Sequence, residues 1–437
     1  MNGPVSRPAF PHPDRPRLWG VAVSHYQVEG DDPCDWTDWE AAGRTNGGPC
    51  GRAADSWSRY EDDASLAASL GANAFRFSVS WSRVEPRRGE FDDEALARYR
   101  LFVDHLSSIG LEPVVTLLHY THPRWFHAET PWTTASSVDA FALFAERVSR
   151  ALGPAARLYT VLNEPLVFVL GGFLDGQIPP GIADGRAASL ALGHLLAAHA
   201  QAAARIRHVT PGVAIGVAHN MMAFVPERSW NPLDRLLARH ADRLYNDGLL
   251  EAFRTGRWDF LVPPFTRFAG RCDDLQGSLD FLGINFYSRL HLRSPGRSRF
   301  AGDFRYLDRS GRGLTDNGWE IVPEAFEALL RRASSLDLPL LVTENGLADA
   351  DDSRRSPFLE DHVAALERVA VDVPLWGYLH WSLLDNFEWL DGYGPKFGLC
   401  AVDPVTFQRH PRPSAETFRR LGRRFLEAVP GREFTRI

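Results

Sequence analysis

A chain of 437 residues, 44% apolar and 24% charged, has the length and composition to bury one large core as a globular protein. A formal net charge of -7 leaves no basic face for nucleic acid or an anionic membrane, and no apolar run approaches the roughly 18 residues of a membrane span. Four cysteines (Cys34, Cys50, Cys272, Cys400) show no CxxC spacing and no scaffold density, which excludes a disulfide framework and suits a reducing, cytoplasmic compartment.

Residues 1–17 are rich in proline and arginine and lack the apolar core of a signal peptide, so they read as an N-terminal extension ahead of a domain spanning 18–437. From there, short apolar runs with strand character recur at 18–23, 74–79, 113–118, 158–162, 213–217, 279–284, 338–342 and 375–379. Helical spacing fills many of the intervals, as at 60–70, 93–109, 137–152, 187–209, 323–335 and 357–369, and glycine follows several of these helices, as at Leu70-Gly71 and Ile109-Gly110. Eight strands alternating with helices, with no linker or internal repeat, predict a single α/β domain, a (β/α)8 TIM barrel. The sixth strand arrives late, so 218–278 must hold an inserted loop and an extra helix. The glycine-rich 41–51 and arginine-rich 289–312 read as loops of the same domain.

A barrel of this kind carries its chemistry at the C-terminal ends of its strands. Those ends read Ser24-His25-Tyr26-Gln27, Arg76-Phe77-Ser78-Val79-Ser80-Trp81, His119-Tyr120-Thr121-His122-Pro123, Asn163-Glu164-Pro165, Asn285-Phe286-Tyr287, Thr343-Glu344-Asn345-Gly346 and Trp381-Ser382-Leu383-Leu384-Asp385-Asn386-Phe387-Glu388-Trp389. Amides, imidazole, carboxylates and flat indoles make a pocket suited to hydroxyl-rich ligands. Glu164 and Glu344 each follow an apolar run and precede a turn residue. A carboxylate there loses hydration and needs a partner or a task. A salt bridge or a helix N-cap would satisfy one such glutamate. Two delivered to one rim match the pair of carboxylates that breaks a glycosidic bond. His119-x-x-His122 with His127 offers imidazoles, but no carboxylate or cysteine stands at ligand spacing, so neither metal nor cofactor is expected.

In this order the motifs resemble glycoside hydrolase family 1, the β-glucosidase and β-galactosidase type, from about Trp19 to about Phe418. The resemblance implies a retaining β-glycosidase acting on small β-glycosides or oligosaccharides. It implies Glu164 as general acid/base, Glu344 as nucleophile and Asn163 on the sugar 2-hydroxyl. Gln27, His119, Glu388 and Trp389 would hold the remaining hydroxyls of the glycone, the sugar ring that is released. Trp381 would be the platform beneath the ring, and Arg76 and Tyr287 would orient the nucleophile. On this reading Arg76 and Tyr287 favour the charged form of Glu344, while the Glu344 charge helps keep Glu164 protonated.

Three departures from the family pattern stand out. Tyr120 and Leu166 occupy positions where tryptophan is usual or frequent, and Val161 one where threonine is common. Tyr120 keeps an aromatic face near the glycone, and Leu166 bears on the aglycone, the group that leaves. Three rivals are set aside. A non-catalytic sugar-binding relative would have lost a catalytic glutamate. A phospho-β-glycosidase would lack Glu388 and carry a lysine for the phosphate, whereas the one lysine is Lys396. A glucosinolate-cleaving relative would have an amide in place of Glu164. The choice among glucose, galactose and fucose stays open, because these epimers differ by single groups.

Overall fold

Eight parallel strands close into a barrel in the computed structural model, which describes residues 17–262, 266–294 and 303–427. They are β1 (Leu18–Ala22), β2 (Ala74–Ser78), β3 (Glu112–Leu118), β4 (Leu158–Asn163), β5 (Ala214–Asn220), β6 (Phe281–Phe286), β7 (Leu340–Asn345) and β8 (Leu375–Trp381). Each pairs with its neighbour in chain order, and β8 returns to β1 through Leu18 beside Gly377 and Ala22 beside Trp381. The principal helices after the strands are α1 (Ser56–Ser69), α2 (Asp93–Ser108), α3 (Ser136–Leu152), α4 (Gly185–Val209), α5 (Gly248–Thr255), α6 (Pro323–Ala333), α7 (Arg355–Val369) and α8 (Pro413–Glu427). The glycines expected to stop α1 and α2 do so in left-handed conformation, Gly71 at φ 83° and Gly110 at φ 87°. The extension read at 1–17 lies, Arg17 apart, outside the described residues.

Later strands run further than their apolar stretches suggest. β4 reaches Asn163, β5 Asn220, β6 Phe286, β7 Asn345 and β8 Trp381. The added residues are largely polar, yet each ladder continues through them, so Asn163, Asn220, Asn285, Glu344 and Trp381 lie on strand ends, while His119, Tyr120, Glu164, Glu388 and Trp389 follow the strands. The 218–278 insertion holds two helices, Pro232–Asp242 and α5, and an antiparallel ribbon of Arg257–Val262 with Thr266–Arg271. The stretch from 289, read as a loop, opens with a strand instead. Arg289–Arg293 pairs with Ala223–Pro226 on one side and Asp303–Arg305 on the other. Its arginines gave it loop composition, but Arg289 is ion-paired to Glu320 and Arg293 to Glu227. Part of this stretch, 295–302, lies outside the described residues.

Inside the barrel, Leu18, Ala74, Val114, Leu158, Ala214, Phe281, Leu341 and Leu379 form one buried cluster with a residue from every strand. Alternation along β2 puts Arg76 on the same inner face as Ala74, two residues further toward the C-terminal rim. This apolar layer is therefore the floor on which a polar layer sits. Phe281 fills much of it, and a side chain at Gly216 on neighbouring β5 would place its Cβ 2.4 Å from the Phe281 ring. Gly216→Ala is accordingly expected to cost about 1–3 kcal/mol by overpacking, read as a lowered midpoint of thermal unfolding. An unchanged midpoint would mean the ring has room to move aside.

Candidate active site

The chain leaves β4 through a sharp turn. Glu164 has left-handed backbone angles (φ 47°, ψ 57°), and Pro165 follows at the first position of a short helix, Pro165–Val169. The Glu164 amide still donates to the Ala218 carbonyl at 2.8 Å, so the residue stays anchored to β5. Glu164 is 7% exposed, and protein donors reach both oxygens of its carboxylate. Oε1 accepts from Asn220 Nδ2 at 2.9 Å and Asn285 Nδ2 at 2.8 Å, and Oε2 accepts the Tyr120 hydroxyl.

Glu344, near the end of β7, is held by groups of a different kind. Arg76 Nη1 donates to its Oε1 at 2.5 Å, and the Tyr287 hydroxyl to its Oε2 at 2.5 Å. The guanidinium is fully buried and reaches three other acceptors: Thr116 Oγ1 at 3.0 Å, the Thr343 carbonyl at 3.2 Å and Asn163 Oδ1 at 2.7 Å. Burial nonetheless pushes Glu344 up to about 7, against the pull of Arg76 and with the repulsion of Glu164. Arg76 and Tyr287 do favour the charged form of this carboxyl, as expected, but the larger desolvation effect outweighs them. Burial and the carboxylate beside each phenol hold Tyr120 and Tyr287 well above the usual phenol value, so both remain O–H donors.

Asn163, Glu164, Tyr287 and Glu344 line one cavity of about 300 Å³ together with His119, Tyr120, Trp381, Glu388 and Trp389. His119 is buried, and burial with the nearby Arg76 charge holds its imidazole well below the ordinary value, so it is neutral. Its Nε2 accepts from Asn163 Nδ2 at 3.2 Å. The Trp381 and Trp389 rings both lie near-parallel to the His119 ring, at 5.9 and 6.0 Å between centroids. Trp389 (φ 52°) and Tyr120 (φ 70°) share the left-handed backbone of Glu164. Burial pushes Glu388 up to about 8, opposed by the Trp381 indole N–H, which lies 3.4 Å from Oε1.

Two expected site residues do not reach the cavity wall. Arg76 acts from beneath it. Gln27 is wholly buried behind it, accepting from Ser24 Oγ at 2.6 Å and donating to Asn386 Oδ1 at 2.9 Å. Others went unread in the sequence. Asn220 and Asn285 bind Glu164 directly, and Tyr245 donates to Asn220 Oδ1 at 2.8 Å. Met222, Tyr306, Trp319 and Phe397 also line the cavity. Asn285 stood in a quoted strand-end motif without a role. Asn220 lay past the point where the apolar run of β5 ended.

The imidazole pair His122 and His127 does meet a carboxylate, contrary to the sequence reading: Asp35, far away in the chain, brings three ligand-type atoms within 4.8 Å. The Trp132 indole N–H donates to His122 Nε2 at 2.8 Å, which puts the His122 proton on Nδ1, facing Asp35 Oδ2 at 3.1 Å. A metal at this point would have to replace that proton and leave two N–H groups opposed. The trio is a hydrogen-bonded brace, with His127 Nε2 2.9 Å from the same Asp35 oxygen.

Two carboxylates, one paired with a guanidinium and one with amides, share a cavity walled by neutral hydrogen-bonding groups and indoles. That arrangement can protonate a departing oxygen on one side of a bond and supply a negative oxygen on the other. Residues 12–424 match the family described as Glycosyl hydrolase family 1. Beta-glucosidase A of Thermotoga maritima is 32% identical over 424 residues, covering 90% of this chain and 93% of that protein. A bifunctional beta-D-glucosidase/beta-D-fucosidase of Bifidobacterium breve is 30% identical over 459 residues, covering 92% and 96%. The solved structure of a beta-glycosidase from Pyrococcus horikoshii superposes with a TM-score of 0.85 at 32% identity, covering 95% of each chain. Among the described residues no helix is long and apolar enough to cross a membrane.

The cavity's electrostatics bear on stability. The ordinary carboxyl value is 4.5, so between there and about 8 folded Glu388 keeps a proton that the unfolded chain has released. Its contribution is fully present below the lower value and is lost as pH rises through about 8. The unfolding temperature of the wild type relative to Glu388→Gln is expected to fall from about pH 5 to about pH 9. Calorimetry of both proteins across that range checks it, and parallel curves would mean that Glu388 is already ionised throughout.

Proposed function

The chain belongs to glycosyl hydrolase family 1, and as a β-glycosidase of that family we propose that it releases non-reducing terminal β-D-glycosyl residues with retention of configuration, through a covalent glycosyl-enzyme. The observation that carries this reading is the unlike clasp on the two carboxylates, guanidinium and phenol on Glu344 and two amides and a phenol on Glu164.

Glu344 is the nucleophile. One of its oxygens attacks the anomeric carbon while the bond to the leaving oxygen breaks, and the proton of Glu164 passes to that oxygen. The attacking carboxylate gives up its negative charge as the ester forms, and Arg76 stays buried beneath it, ready to receive the anion again. Glu164, now a carboxylate, takes a proton from water as that water attacks the same carbon and Glu344 departs. The product leaves with its original anomeric configuration, and both side chains return to their starting states. No step calls for a metal or a cofactor.

The glycone lies on Trp381, with Asn163 at the 2-hydroxyl and His119, Glu388 and Trp389 at the hydroxyls beyond. Gln27, which donates to Asn386, is proposed to serve the same end. β-Glucosides are the leading substrates, with β-galactosides and β-fucosides as the alternatives within the same pocket. A sugar phosphate is disfavoured because the Glu388 carboxyl would face it. We read 18–437 as one catalytic domain behind a 1–17 extension, and the buried free thiols of Cys34, Cys50 and Cys400 suit a cytoplasmic setting.

Two measurements test the reaction. With an aryl β-glucoside, proton NMR of the first-formed sugar is expected to show the β-anomer, and a 2-fluoro glycoside with a good leaving group is expected to label Glu344. The α-anomer appearing first would make Glu344 a base for water and sink double displacement. Glu344→Gln is expected to abolish turnover while the fold persists, and a residual rate within about tenfold of wild type, only about 1.4 kcal/mol in barrier, would remove the nucleophile assignment.

A further inference from the structure

Tyr120 stands where the family resemblance leads one to expect tryptophan, and its hydroxyl changes what the neighbouring carboxylate can do. The phenol is not loosely placed. Its ring meets Trp389 edge-on at 5.2 Å and His119 at 5.4 Å, both near perpendicular, and the residue is 8% exposed. Its left-handed backbone turns the side chain inward from the end of β3. The hydroxyl thus arrives at Glu164 Oε2 by packing, not by a search among rotamers.

A carboxylate has about two acceptor positions on each oxygen. Both positions on Glu164 Oε1 are taken, by the Asn220 and Asn285 amides at 2.9 and 2.8 Å. On Oε2 one position takes the Tyr120 hydroxyl and the other is open to the cavity. We propose that Tyr120 is a positioning residue for proton transfer: it confines the mobile proton of Glu164 to the open position of Oε2 and aims that position at the leaving oxygen. The inference rests on Glu164 being the acid/base, as proposed above.

In the first step the proton moves from Oε2 to the leaving oxygen as that oxygen takes the electron pair of the broken bond. In the second step Oε2 takes one proton from the attacking water. Tyr120 keeps its own proton throughout, in keeping with a phenol held well above its usual value by burial and by the Glu164 charge.

The test compares Tyr120→Phe with wild type on two β-glucosides, one with a 2,4-dinitrophenyl leaving group, which departs without a proton, and one with a methyl group, which needs it. Rates are expressed per site that a 2-fluoro glucoside can trap, so that misfolded protein does not enter. The loss in kcat/KM is expected to be at least about tenfold larger on the methyl glucoside than on the dinitrophenyl glucoside, with the difference carried by kcat and not KM. Equal losses on the two substrates would overturn the proposal and leave Tyr120 a packing residue. Glu164→Gln is the control and is expected to show a larger discrimination of the same sense. If that variant discriminates no more than wild type, the acid/base assignment itself fails and the role of Tyr120 falls with it.

Discussion

A fully buried guanidinium sits just beneath the cavity, and the upper barrel is arranged to keep it there. Arg76 leaves β2 and spends its donors on β3 through Thr116, on β4 through Asn163 and on β7 through Thr343 and Glu344. Taking such a charge from water costs several kcal/mol, and only a close anion with further hydrogen bonds offsets it. Glu344 is the carboxylate in contact with it. The same ion pair therefore holds a cation in the barrel and presents a carboxylate to a substrate, and neither partner can be removed without stranding the other.

Around that pair, the cavity is built from groups that accept and donate without carrying charge. His119 is neutral, the phenols keep their protons, and the amides of Asn163, Asn220 and Asn285 are locked to one another's neighbours. In such surroundings carboxyl groups repel one another strongly. Glu164 raises Glu344, and Glu344 in turn raises Glu388, each on top of burial. These surroundings thus favour the protonated forms of Glu344 and Glu388, and the division of labour proposed for the two central glutamates rests on what touches each oxygen. On that proposal, two chemically identical side chains become different reagents because one meets a cation and the other meets amides.

Much of this was legible along the chain, because strand-length apolar runs ending in Asn163-Glu164 and Thr343-Glu344 are visible without coordinates. Burial on both faces makes the barrel strands near-continuous apolar runs, which is why all eight could be read. Polar strand ends were harder. β5 continues through His219 and Asn220, whose amide and imidazole look like a loop until their pairing with β6 is known. Arg289–Arg293 was hidden by charge that ion pairs neutralise. Gln27 carries the family motif, yet in three dimensions its amide is committed to Ser24 and Asn386, and no spacing rule reports that commitment. Asp35 joins His122 across 87 residues of sequence, a separation at which local pattern says nothing.

The left-handed backbone at Tyr120, Glu164 and Trp389 has a consequence for anyone seeking a more heat-resistant form of the protein. Non-glycine residues in such conformations cost about 1–3 kcal/mol each, and the surrounding structure must hold them there. Glycine would relieve every one of them, and would delete a phenol, a carboxylate and an indole from the cavity. That reserve of strain is out of reach of any thermostabilising programme that must also keep turnover. Gains have to be sought at the opposite end of the barrel and along the outer helices, where packing can be tightened without moving the rim.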